Sequence, residues 1–368
     1  MHLYKTPDQN TRRNIGTGVM RILIVLIFGA LIMLGYVTIK QNLGLSHEEN
    51  SSKLPTPLHC RDNYAQNFSC FRKHFEAVTR MFGPTVALND LKNLYTHNPY
   101  VISQCHQFTH VIGNTASELY PDIGEAFRYG DSICWSGYYH GVVEQAAKRF
   151  SKETIAALTN DLCAQIPGKD RYSFDYFNCI HGLGHGFMAL TKNELFDSLH
   201  LCDNLKGRWE QESCYGGVFM ENVMVDNRNH TTKYLKPDDL LYPCTAVDET
   251  YKGQCYLMQT SYALAKNGHD FANLFSLCAR SEENYRDVCV QSIGRDASGQ
   301  SVSNVTQTKN WCDLAQDSTQ KKNCIIGAVK DFISYFHGNT EAHKLCDSFE
   351  EPFAVFCRQT LVDYTKTL

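Results

Sequence analysis

The stretches NLFSLCAR and YRDVCVQSIG, and again KNWCDLAQ and KKNCIIGAVKDFISY, place apolar residues three and four apart on either side of a short polar turn. That spacing predicts a short amphipathic helix, a turn, and a longer helix that begins near the second cysteine. The unit recurs, because Cys244, Cys278, Cys312 and Cys346 stand 34 residues apart. A fixed period of this size marks an array in which each helix pair buries its apolar face against the next. The expected fold class is all-α, a solenoid of disulfide-stapled helical hairpins behind a single N-terminal transmembrane helix.

The N-terminal expectation has its own pattern. Residues 1–21 are polar and basic, with Lys5, Arg12, Arg13 and Arg21 against Asp8. Residues 22–39 then run uncharged from Ile22 to Ile39 and are closed by Lys40, a length at the short end for a membrane span. The basic leader places the N-terminus in the cytoplasm and the bulk of the chain outside it, in a periplasm, lumen or extracellular space. A retained anchor is preferred to a cleaved signal peptide, because no small-x-small site follows the apolar run. Residues 40–57, polar with two prolines, read as a tether. The expected domains are therefore 1–21, 22–39, 40–57 and a cysteine-rich helical-repeat domain over 58–368, with a histidine-rich region at 105–222 and a repeat region at 244–357.

Sixteen cysteines in an extracytoplasmic chain suggest a disulfide framework. They fall into close pairs: Cys60 and Cys70, Cys163 and Cys179, Cys202 and Cys214, Cys244 and Cys255, Cys278 and Cys289, Cys312 and Cys324, Cys346 and Cys357. Bridging each pair staples one hairpin and adds about 2–3 kcal/mol in the chain-entropy picture. Pairing between adjacent repeats is the alternative. Cys105 and Cys134 form a longer, odd pair that is either bridged or free. The paired cysteines at this period resemble cysteine-rich, disulfide-stapled tetratricopeptide-like repeat proteins over about residues 160–368. The resemblance is architectural and implies no functional residue.

Composition narrows the function. The chain is 43% hydrophobic and 20% charged, which is globular. Its net charge of −4 gives no case for nucleic acid. Phosphate-cradling glycine loops, a His-Glu-x-x-His zinc-peptidase signature and a Gly-x-Ser-x-Gly elbow are absent. Asn50, Asn67, Asn229 and Asn304 each head a glycosylation sequon, a pattern short enough to arise by chance.

One segment stands out, Cys179-Ile-His-Gly-Leu-Gly-His-Gly-Phe-Met188. It puts His181 and His185 on one helical face, among three glycines that each cost a helix roughly 1 kcal/mol. Cys105-His-Gln-Phe-Thr-His110 repeats the histidine spacing, and Cys134-Trp-Ser-Gly-Tyr-Tyr-His-Gly-Val-Val-Glu144 sets His140 and Glu144 four apart. Cys214-Tyr-Gly-Gly-Val-Phe-Met-Glu-Asn222 is a fourth relative ending in a carboxylate. Six residues beyond the second cysteine lie His140, His185 and Met220, then Ser261, Arg295 and Lys330, with His110 close to the same place. A packing requirement of the repeat would recur throughout, whereas histidine stops after residue 185.

The candidate metal ligands are therefore His106, His110, His140, Glu144, His181, His185 and Glu221. Imidazoles with carboxylates suit iron, zinc or copper, in a mono- or dinuclear centre of open identity. Such a protein is expected to bind a transition metal outside the cytoplasm, with metal-dependent catalysis as an extension. The alternative is a non-catalytic scaffold that takes a protein or peptide in a concave groove. A further alternative is non-covalent haem lying against Gly182 and Gly186, since the chain has no Cys-x-x-Cys-His attachment motif. Tyr138, Tyr139 and Tyr215 lie near the row and are candidates for proton donation.

Overall fold

Short polar caps start and stop the helices, and their apolar stripes decide how they stack. The computed structural model describes Cys60 and residues 67–366 except 132, 165, 172, 225–231, 302–303 and 337–338. The expected span at 22–39 lies outside the described residues. Among the described residues no helix is long and apolar enough to cross a membrane. Pro57–Leu368 forms one compact unit, and the regular structure among its described residues is helical.

The helices in chain order are α1 Phe68–Phe82, α2 Pro84–Tyr95, α3 Pro99–Ser103, α4 Cys105–Leu119, α5 Ile123–Phe127, α6 Gly137–Ala147 and α7 Lys152–Leu162. Then come α8 Phe174–Thr191, α9 Leu195–Cys202, α10 Arg208–Val223, α11 Glu249–Lys266, α12 Phe271–Cys278 and α13 Arg286–Gln300. The last four are α14 Val305–Cys312, α15 Ser318–Phe336, α16 Asn339–Ser348 and α17 Phe353–Thr365. Side-chain caps set several of the starts. Ser173 accepts from the Tyr176 amide at the head of α8, and Ser151 accepts from Thr154 at the head of α7. Asn67 and Asn304, two of the sequon asparagines, cap α1 and α14. Each such cap is worth about 1 kcal/mol.

All sixteen cysteines pair, with Cα–Cα separations of 5.1–5.9 Å. The seven close pairs are those read from spacing, and Cys105 is bridged to Cys134. Cys202, Cys278 and Cys312 each end a short helix. The second cysteine of each of these pairs lies inside the longer helix rather than at its start, because that helix begins three to six residues before it.

The long helices pack in chain order: α1 on α4, α4 on α6, α6 on α8, α8 on α10, α10 on α11, α11 on α13, α13 on α15 and α15 on α17. Three of these crossings are locked by glycines in one reciprocal arrangement. A Cβ on Gly113 would fall 2.0 Å from the Tyr138 carbonyl oxygen, and one on Gly141 would fall 2.3 Å from that of His110. The same exchange joins Gly184 to Cys214 and Gly217 to His181 between α8 and α10. It joins Gly294 to Cys324 and Gly327 to Gln291 between α13 and α15. In every case the carbonyl belongs to the residue three before the partner's glycine, so each backbone nests one turn below the other's bare Cα. Side chains near these crossings are thereby brought closer than the usual 8–10 Å helix separation allows. At the first helices an aromatic group of Phe68, Phe71, Phe75 and Phe108 closes the core, with Phe68 stacked on Phe108 at 5.1 Å. Burying a ring of this size contributes about 2–3 kcal/mol.

Candidate metal centre

Because α4, α6 and α8 lie side by side, four histidines meet between them. His106 and His110 come from α4, His140 from α6 and His185 from α8. Each offers one ligand atom, all four are buried, and no two of these atoms are more than 4.8 Å apart. Their rings are in mutual contact, with His140 stacked on His185 at 4.3 Å between centroids.

The proton positions follow from what faces each ring. His106 Nδ1 lies 2.8 Å from the Cys134 carbonyl oxygen, which can only accept, so Nδ1 carries the proton. His110 Nδ1 lies 3.3 Å from Glu144 Oε2. Burial alone would raise the Glu144 carboxyl, but the hydrogen bond from His110 and the charge of Lys148 hold it at about 2. It is therefore an acceptor too. His185 Nδ1 donates to Glu221 Oε2 at 2.6 Å. Three rings are thus pinned through Nδ1, which turns Nε2 of each toward the shared centre. This is the outer-partner arrangement that orients metal-binding histidines. Glu144 and Glu221 stand behind the rings rather than among the ligand atoms.

Within the centre, His106 Nε2 and His110 Nε2 are 3.1 Å apart. With the protons on Nδ1, two lone pairs face each other there, an arrangement that repels unless a proton or a metal ion lies between. Burial, together with the neighbouring His110 and His185, drives the His106 imidazole well below its ordinary basicity. His140 is likewise pushed well down by burial and by the other four histidines. A metal with nitrogens at about 2.0–2.1 Å separates two of them by roughly 2.9 Å at right angles and 3.3 Å at tetrahedral angles. The 3.1 Å gap fits between these values, and the 4.8 Å limit means the outer rings draw in by under about 1 Å.

The backbone beside the cluster is strained. Cys134, Trp135 and Ser136 have φ of 57°, 55° and 59°, three consecutive left-handed residues that are not glycine. Each costs on the order of 1 kcal/mol or more. The turn they make aims the Cys134 carbonyl at His106. The Cys105–Cys134 bridge ties the same turn to the first residue of α4.

His181, the remaining imidazole of the sequence set, is buried next to the cluster and outside it. Its Nδ1 faces the Ser213 carbonyl oxygen at 3.1 Å, and its Nε2 lies 3.5 Å from Met220 Sδ. The tyrosines do not join either. Tyr138 donates to the Ala126 carbonyl, Tyr215 donates to Asp203, and Tyr139 packs on Phe127. Burial raises all three phenols far above their ordinary range. Gly182 and Gly186 abut Val143 and Ala147 of α6, so the surface imagined for a porphyrin is covered by a helix. Sequence reasoning missed the Cys134 carbonyl and the strained turn, since neither has a residue-type signature.

The fold and cluster define an all-helical, disulfide-stapled protein with a buried four-histidine group that can hold a metal ion. No protein-family model, curated protein or solved structure matches the chain.

Proposed function

We propose that this protein binds a transition-metal ion through His106, His110, His140 and His185. The observation that carries the reading is the pinning of three rings by Cys134, Glu144 and Glu221, which leaves Nε2 lone pairs converging in a buried space. Four imidazoles select zinc, copper, iron or nickel over magnesium or calcium. Glu144 and Glu221 place two negative charges behind the rings to balance a dication. The cysteines are committed to eight disulfides and do not compete as ligands. Such a framework belongs to an oxidising compartment, and with the apolar run at 22–39 we propose an extracytoplasmic protein anchored by one N-terminal span. The chain-order packing of its long helices supports a solenoid in which the early units hold the metal.

The test is elemental analysis and metal titration of the purified full-length chain with its disulfides intact. One bound ion is expected, and His185→Ala should lower the affinity at least a hundredfold while helical content and disulfides persist. Unchanged metal content in a folded His185→Ala protein would refute the reading.

A further inference from the structure

The His181–Met220 contact has no partner in the four-histidine scheme. The Ser213 carbonyl oxygen only accepts, so it takes the His181 proton at Nδ1. Nε2 then presents a lone pair to the Met220 thioether, which is also a lone-pair donor. No N–H stands between them to make a hydrogen bond. A doubly protonated His181 would supply one, but neither of its nitrogens meets a carboxylate.

On the other side of His181 stands His140, with ring centroids 4.9 Å apart. His140 is fully buried, and neither Nδ1 nor Nε2 has a hydrogen-bond partner among the described residues. One of those nitrogens serves the four-histidine cluster. The other carries the ring's single proton with no acceptor in reach, a costly state for a buried donor.

We propose that His181 Nε2, Met220 Sδ and the second nitrogen of His140 form an additional, softer metal pocket that takes copper(I). The proposal shares His140 with the four-histidine site and to that extent rests on the reading above. A thioether with two imidazoles is a donor set suited to copper(I). A metal about 2.0 Å from nitrogen and about 2.3 Å from sulfur holds those donors roughly 3.5–3.7 Å apart at tetrahedral to trigonal angles. The observed separation is 3.5 Å. With an ion on each side, His140 becomes a bridging imidazolate and releases its one ring proton to solvent. The stranded N–H is thereby removed. The backbone holds the pair in place, because the His181 carbonyl is locked under Gly217 at the α8–α10 crossing.

The experiment uses the full-length chain with disulfides intact, first saturated with zinc(II). Copper(I) is then titrated anaerobically against a chromophoric copper(I) chelator, with copper-edge X-ray absorption on the product. The expected result is one copper(I) per chain over the zinc, with a sulfur scatterer in its shell and about one proton released. Met220→Leu keeps volume and shape. It should lose the sulfur scatterer and weaken copper(I) at least tenfold, with zinc binding unchanged. Zinc binding without copper(I), a nitrogen-only copper shell, or unaltered copper affinity in Met220→Leu overturns this pocket and leaves the four-histidine reading standing. Copper–sulfur binding in a chain whose four histidines take none of zinc, copper, iron or nickel supports the pocket and overturns the four-histidine reading instead.

Discussion

A buried imidazole must place one proton, and here the placement is dictated from outside the cluster. His106 gives its proton to a backbone carbonyl, while His110 and His185 give theirs to Glu144 and Glu221. Stability should therefore depend on pH with a definite sign. His106, His140 and His181 have folded pKa values well below the ordinary 6.5. Below about 6.5 the unfolded chain takes up protons that these rings refuse, so stability falls as pH falls. The slope reaches about 1.4 kcal/mol per pH unit for each ring. Asp331 works in the opposite direction, because burial pushes its carboxyl up to about 7 and the folded state then binds the extra proton. Glu144 adds to the acid loss only as pH drops below its ordinary carboxylate range. Three rings outweigh one carboxyl, so urea denaturation of the metal-free protein should show a net loss of stability from pH 6.5 to 5.5. Equal or greater stability at pH 5.5 would contradict the neutral cluster. Added metal should raise the whole curve and leave the slope at least as steep, since a ligated ring also excludes protons. The four histidines that meet were legible as candidates in the sequence because His spacing on helices is local. The division into inner imidazoles and outer carboxylates was not, because Glu144 and Glu221 differ from ligands only in which nitrogen they reach.

At the scale of the helix, the period of cysteines announced the hairpins, and a glycine stands three residues after the second cysteine at Gly137, Gly182, Gly217 and Gly327. What the sequence does not display is the partner of each glycine, since a missing side chain carries no mark of what fills its place. For Gly217 and Gly327 the structure supplies it as a carbonyl on the neighbouring helix, for Gly137 as the Thr109 hydroxyl and for Gly182 as the Val143 side chain. Gly217→Ala would drive a Cβ to within 1.9 Å of the His181 carbonyl oxygen, against backbone that cannot swing aside. The variant should lose about 1–3 kcal/mol or more of stability and loosen metal binding, because α8 carries His185. Gly253→Ala is the matched control within a helix. A Cβ there meets nothing within 4 Å, so helix propensity alone predicts a gain of up to about 1 kcal/mol. Thermal denaturation of both variants decides the point, and a Gly217→Ala protein as stable as its parent would show that the crossing is not held by close backbone contact.

For the molecule as a whole, the disulfides raise the question of whether they only hold the chain together or also hold the site. Seven bridges join cysteines 10–16 residues apart in sequence, and Cys105–Cys134 joins cysteines 29 apart. Chain entropy alone values the longest at about 3.6 kcal/mol and an eleven-residue closure such as Cys346–Cys357 at about 2.8 kcal/mol. On stability the two are close. They differ in position, since Cys105 precedes His106 in α4 and the Cys134 carbonyl fixes the His106 proton. The left-handed run at Cys134, Trp135 and Ser136 is kept by surroundings of which this bridge is a part. Replacing Cys105 and Cys134 by alanine should thus cost a few kcal/mol and weaken metal binding at least tenfold. Replacing Cys346 and Cys357 should cost a similar amount of stability and leave metal affinity at the parent value. Metal titrations on the two double variants, run where both are folded, separate the roles. Equal metal affinity in the two would make the odd bridge one more staple, and the strained turn would then owe its shape to packing alone.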